Sequence, residues 1–218
     1  MSIVIVGAGP NLGMAVARRF GREGLAVGLV SRNQEKLDGL AAELESEGLT
    51  AAGAAADIRD SDALAAAIRS LAERLGRVEV LEYSPLPARE FMKPILETTV
   101  DDLRGPLEFS VLGAVAATRA VVGPMREAGR GTILFTTGGA AVNPYPLRAG
   151  VGVSFAGEVA WARMLHDELA DQGIHVAHTA IGGQIAPGAD HEPSDVADVL
   201  WSHHVDRDRF QTRIGIPQ

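Results

Sequence analysis

The chain contains no cysteine, which excludes disulfides, thiol catalysis and any disulfide-stapled secreted scaffold. It also lacks an apolar run near the ~18–20 residues that a membrane-spanning helix needs, so no membrane segment is expected. Positive charge is in deficit. Twenty basic residues face 28 acidic ones, and the formal net charge of −8 argues against nucleic acid or an anionic bilayer as the main partner. No basic leader followed by a long apolar stretch opens the chain: Ile3–Val6 is short, and Arg18, Arg19 and Arg22 follow soon after. The expected location is therefore cytoplasmic. No internal repeat or low-complexity linker interrupts the sequence. Lysine is nearly missing, with only Lys36 and Lys93.

What is present suits one globular domain: 218 residues, 46% of them hydrophobic, enough for one substantial core and short for two. Its opening is the most informative stretch. Ile3, Val4, Ile5 and Val6 read as a strand buried on both faces, because apolar residues run without alternation. Gly7-Ala8-Gly9-Pro10-Asn11-Leu12-Gly13 then makes a glycine-rich turn, and a helical pattern follows from Met14 through Phe20. A strand that turns through glycines into a helix aims backbone N–H groups and the positive helix end at one point, which suits a phosphate. Further on, strands at Ala26–Ser31, Ala51–Ala56, Val78–Leu81, Thr132–Thr137, Ile174–Ala180 and Arg213–Ile216 alternate with helical patterns. Those helices are expected at Asn33–Glu47, from Asp60 or Ser61 to Gly76, from Leu103 to Gly129 without a break, and at Phe155–Asp171 and Ser194–Ser202. Ser84–Pro94, with three prolines, and Gly138–Gly152 read as loops. Such alternation predicts an α/β fold: a Rossmann-type doubly wound parallel sheet in a three-layer αβα sandwich, with ligands at the carboxyl ends of the strands.

With these residues in view, the sequence resembles the short-chain dehydrogenase/reductase family over nearly its whole length. The turn Gly7–Gly13 is similar to that family's Thr-Gly-x-x-x-Gly-x-Gly, with Val6 in place of Thr and Asn11 in place of the middle Gly. Asn tolerates a left-handed backbone better than other side chains, and its amide can donate to phosphate. Ser31-Arg32 ends the second strand, where an acidic residue would select NAD through the ribose hydroxyls. An arginine there suits the extra phosphate of NADP, although a solvated helix-start residue is the other reading of Arg32. Asp57-Ile58 resembles the adenine-contacting pair, and Asp57 also reads as a turn residue. The resemblance implies a cofactor site from Gly7, Gly9, Asn11, Leu12, Gly13, Ser31, Arg32, Asp57, Ile58, Ser84, Pro85, Thr136 and Gly182. The implied cofactor is NADP in preference to NAD, and the implied assembly a homodimer or homotetramer through the Leu107–Val122 and Phe155–Leu169 helices.

The departures from the family pattern fall on the chemistry. Tyr83-Ser84-Pro85-Leu86 replaces Asn-Asn-Ala-Gly, and Ser110 stands where the family has Asn in its long helix. Alignment of the fifth strand and its sequel puts Gly138 on the catalytic Ser, Val151 on the Tyr and Phe155 on the Lys. The usual proton-transfer group, a Tyr whose pKa a Lys lowers, is thus missing from its place. Thr136 and Thr137 at the end of that strand, Tyr83 on the neighbouring rim, and Tyr145 with Arg148 in the next loop are the remaining polar candidates. Tyr145 and Thr137 are the proposed catalytic residues, each with a plain structural reading as loop packing or a strand residue. Only a short lobe, Gln184–Pro193, stands where the family covers its substrate, so the cleft is expected to be open or closed by a partner. No metal is expected: His203 and His204 are adjacent, and His175 and His178 face opposite sides of their strand. The expected activity is a divergent NADP-dependent oxidoreductase on a small carbonyl or alcohol. The alternative is an inactive NADP(H)-binding regulatory or scaffold protein.

Overall fold

The computed structural model describes residues 1–217. Its strands are β1 Ser2–Val6, β2 Ala26–Ser31, β3 Ala51–Ala55, β4 Val78–Tyr83, β5 Gly131–Gly138, β6 Ile174–Ile181 and β7 Gln211–Ile214. The helices are α1 Leu12–Gly21, α2 Gln34–Ser46, α3 Ser61–Leu75, α4 Val100–Leu107, α5 Gly113–Glu127, α6 Ala149–Leu169 and α7 Pro193–Asp206. All strands pair in parallel in the order β3-β2-β1-β4-β5-β6-β7, so the winding reverses between β1 and β4. That reversal opens a crevice at the carboxyl ends of the strands. Ile3, Ile5, Phe20, Leu29 and Leu37 form the core under α1, α2 and α7. Val4, Val6, Leu64, Val121 and Phe135 form the other, under α3, α5 and α6. Every residue of β1 is buried, as an apolar run without alternation requires.

Strand β7 lies two residues earlier than expected and α7 runs on to Asp206, and three further differences from the sequence reading bear on the site. Helix α6 begins at Ala149, inside the stretch read as loop. Gly150 and Gly152 hide it, because glycine disfavours helix interiors. Yet a Cβ at Gly150 would stand 2.8 Å from both the Phe91 carbonyl and the Pro106 ring, so the close seat of α6 on α4 needs glycine there. The long helix is not continuous: a π-turn over Glu108–Leu112 joins α4 to α5, a feature enriched at functional sites. By length and mean hydropathy of 1.2 Val100–Glu127 would cross a bilayer, but half of its most apolar window is buried in the domain, as in a core helix. Finally, β4 runs on to Tyr83, carrying the fully buried Glu82 into the sheet.

Candidate active site

The glycine turn is built by tight packing. Gly7 has φ +95°, and a Cβ on it would lie 2.5 Å from the Cα of Pro85. Its N–H and that of Ala8 both donate to the Val30 carbonyl at 3.0 Å, which ties the turn to β2. A Cβ at Gly13 would stand 3.1 Å from the Cα of Ala8, so the base of α1 rests directly on the turn. Gly9 has open space beside it. The first α1 bonds are those of Met14 to the Gly9 carbonyl and Ala15 to the Asn11 carbonyl. The N–H groups of Leu12 and Gly13 thus lie ahead of them, at a helix start with no acidic residue in its first turn. Asn11 caps this helix with φ −92°, not in the left-handed region that motivated its choice. Its side chain makes no capping bond, so the amide stays available to a ligand.

At the far end of the crevice Ser31 ends β2 and Arg32 is exposed beside it. Arg59, which the sequence reading missed, pairs with Asp57 at 2.9 Å. The hydrogen bond from Arg59 holds the Asp57 carboxyl below its usual range, and the charge of Arg32 adds to this more weakly. Two guanidinium groups therefore share this corner. Ile58 is buried in the core, and its carbonyl faces Gly113 of α5. Pro85 closes on Gly7, and the Ser84 N–H donates to the Val6 carbonyl at 3.0 Å. Gly182, after β6, donates to the Ile214 carbonyl at 2.9 Å. The lobe beyond it folds back on itself: the Gln184 N–H donates to Asp190 at 2.8 Å, and the His191 ring donates to the Gly182 carbonyl at 2.7 Å.

The stretch aligned by sequence with the family's catalytic residues holds a different kind of surface. A Cβ on Gly138 would lie 3.5 Å from the Phe155 ring, so those two positions do converge. Val151 and Phe155, each 4% exposed, join Phe91 in an apolar cluster flanked by Phe109, Ala140 and Ala141. The Ser154 hydroxyl donates to the Val151 carbonyl at 3.3 Å. Tyr83, placed on the rim by sequence, is instead wholly buried, and its hydroxyl donates to the Phe109 carbonyl in the π-turn. Tyr145 is 54% exposed in its loop, and its hydroxyl has no partner among the described residues, Arg148 included.

Polar groups do reach the end of β5 from two sides. On one face the Thr136 hydroxyl lies 3.2 Å from one oxygen of the Glu82 carboxyl and the Ser84 hydroxyl 2.8 Å from the other. Burial pushes the Glu82 pKa up to about 8, against the two hydroxyls, so it is protonated at neutral pH. On the other face Thr137 Oγ1 lies 2.8 Å from His178 Nε2, and His178 Nδ1 lies 3.0 Å from the Gln211 amide nitrogen. Arg213 donates to the Gln211 carbonyl oxygen at 3.4 Å, which sets the amide orientation. Gln211 then donates to Nδ1, so the His178 proton sits on Nε2 and is given to Thr137. The Thr137 hydroxyl keeps its own proton to donate. Burial, with the charges of His203 and Arg213, lowers the His178 pKa to about 4, so the ring stays neutral. Thr137→Val should leave the Nε2–H unpaired in the core. It is expected to cost about 1–3 kcal/mol in urea unfolding, whereas Tyr145→Phe should unfold as the wild type does.

The fold and this crevice together define a doubly wound dinucleotide-type domain. The chain matches the short chain dehydrogenase family over residues 1–193 and belongs to that family. It is 28% identical over 191 residues to the dehydrogenase/reductase SDR family member 4 of Sus scrofa, covering 88% of this chain and 65% of that protein. The chain thus spans a little under two thirds of that relative's length. A solved short-chain dehydrogenase from Rhodopseudomonas palustris superposes with TM-score 0.87 at 28% identity, covering 100% of this chain and 98% of the other. A metagenomic short-chain oxidoreductase solved with NADP superposes with TM-score 0.84 at 26% identity, covering 99% and 98%.

Proposed function

We propose that this protein is an NADP(H)-dependent oxidoreductase acting on a small carbonyl or alcohol without the Tyr–Lys pair. The observation that carries this reading is the open α1 N-terminus under Gly7–Gly13, with the Arg32–Arg59 corner at the other end of the crevice. The residues fit a dinucleotide phosphate: free N–H groups for the pyrophosphate and paired guanidinium groups for a 2′-phosphate. When bound, the cofactor supplies hydride exchange, and the protein's task is position and electrostatics. In this reading Thr137, oriented by His178, donates a hydrogen bond to the substrate oxygen, and the apolar wall of Val151 and Phe155 excludes water. The solved relative that holds NADP supports the cofactor class. NADPH consumption over a panel of small carbonyls tests the reading, and no NADP(H) binding at all would sink it. Arg32→Glu should weaken NADPH binding by about tenfold or more while changing NADH little. Fluorescence titration of both cofactors measures it, and parallel losses would remove Arg32 from 2′-phosphate recognition.

A second reading is an NADP(H)-binding protein without turnover. The apolar cluster of Phe91, Val151 and Phe155 at the acid–base positions favours it. Tight NADPH binding with no consumption on any carbonyl would decide for this alternative. In both readings the protein pairs with a second copy through α4–α5 and α6, which carry the exposed Leu107, Leu112, Val153 and Met164. Sedimentation analysis tests the pairing.

A further inference from the structure

A cavity of about 640 Å³ lies at the amino ends of the strands, the opposite end of the sheet from the glycine turn. It sits at the amino end of β6, between the second half of α6 and the loop from α7 to β7. Arg163, Arg207 and Arg209 line it, together with His166, His175 and Phe210, and Asp208 is the one acid among the lining residues. Asp208 is bound to Arg209 at 2.7 Å, which leaves Arg163 and Arg207 without a carboxylate partner among the described residues. On a chain of net charge −8, this is a concentrated positive site.

The cations are also fixed in place. The Arg163 guanidinium lies 3.7 Å over the Phe210 ring. Arg207 has a left-handed backbone, φ 53°, and donates to the carbonyls of His204 at 3.1 Å and Gly173 at 3.3 Å. Pre-set guanidinium groups lose little freedom when an anion arrives.

A second observation points to a ligand. His175 is only 8% exposed, yet it reaches the cavity wall, and its Nε2 is buried without a hydrogen-bond partner. His203 stacks behind it at 6.4 Å with both ring nitrogens unpartnered. His166 meets it edge-on at 5.8 Å, its own Nδ1 donating to the Val176 carbonyl at 2.8 Å. Burial, then the neighbouring His166, His203 and Arg207, pull the His175 pKa to about 4 against the opposing charge of Asp208. Buried imidazoles next to unneutralised guanidinium groups are what an anion would satisfy.

We propose that this cavity is a second ligand site, separate from the cofactor crevice, that takes a small phosphate-bearing anion on Arg163, Arg207 and His175. The space exceeds a bare ion, so a phosphate ester of a small polyol suits it better than free phosphate. Histidine resonances of the full chain report the test, during titration with inorganic phosphate, glycerol phosphate and succinate. Glycerol phosphate is expected to shift His175 and His166 and raise the His175 pKa, with Arg163→Gln weakening the midpoint about tenfold and Arg32→Glu leaving it unchanged. Tighter binding of glycerol phosphate than of inorganic phosphate would support the ester as ligand, and the reverse order would overturn that half of the proposal. Equal shifts with succinate would overturn it as plain charge screening. Shifts abolished by Arg32→Glu but kept in Arg163→Gln would overturn it by placing the anion in the cofactor crevice.

Discussion

Gly7→Ala is expected to destabilise the domain by about 3 kcal/mol and to abolish NADPH binding. Two costs add. The backbone at φ +95° disfavours any Cβ by roughly 1–2 kcal/mol, and a Cβ 2.5 Å from the Pro85 Cα forces backbone against backbone, at about 1–3 kcal/mol. Neither neighbour can yield cheaply, because Gly7 is bonded to β2 through Val30 and Ser84 is bonded to β1 through Val6. Any movement that relieves the clash also turns the N–H groups of the glycine turn. Urea unfolding and NADPH fluorescence titration read the two effects separately. Gly9→Ala is the control: its Cβ would have nothing nearer than 4.0 Å, so it should unfold at the wild-type midpoint. A Gly7→Ala variant with wild-type stability and affinity would show that the turn can shift without harm.

The contrast between Gly7 and Gly150 shows how far the sequence could be read. Gly7 stands between a strand and a helix, so its role follows from its neighbours along the chain. Gly150 looks like a helix breaker until Phe91 and Pro106 are brought against it, and those contacts exist only in the fold. The same holds for Thr137. Its own strand shows it to be a polar strand end, but its partner His178 comes from β6 and the orienting Gln211 from β7, joined through the register His178 to Gln211. The assignment of Gly138, Val151 and Phe155 to the catalytic positions rests on fixed intervals along the chain and needs no fold. That Val151 and Phe155 close into one apolar cluster with Phe91 was not legible, since Phe91 lies in a proline-rich segment without periodicity. Glu82 left a visible signal that went unread: a strand written Val-Glu-Val-Leu-Glu-Tyr in the middle of a sheet covered on both faces must bury a carboxyl.

That buried carboxyl gives the sharpest solution test. The unfolded chain releases the Glu82 proton near 4.5, whereas the folded protein keeps it until about 8. Between those values the native state holds the extra proton, so stability falls as pH rises, by about 1.4 kcal/mol per unit. Glu158, wholly buried in α6 with its pKa also pushed well up by burial, acts in the same direction. The histidines oppose them only at lower pH. His175 and His178 titrate near 4 when folded and 6.5 when unfolded, so their contribution grows with pH up to about 6.5 and then stays constant. Burial lowers His203 and His204 as well, so between pH 4.5 and 6.5 the histidines together oppose the carboxyls. From 6.5 to 8 only the carboxyls remain, and Glu82 should remove about 2 kcal/mol over that interval. Glu82→Gln keeps the shape, accepts from one hydroxyl and donates to the other, and cannot ionise. The variant is therefore expected to be less sensitive to alkali, with a loss over that interval smaller than the wild type's by about 2 kcal/mol and a higher urea midpoint at pH 8. Superimposable wild-type and Glu82→Gln profiles above pH 6.5 would mean that Glu82 is already ionised in the folded protein. Ser84 and Thr136 would then be donors to a carboxylate, and a negative charge would lie beneath the phosphate turn.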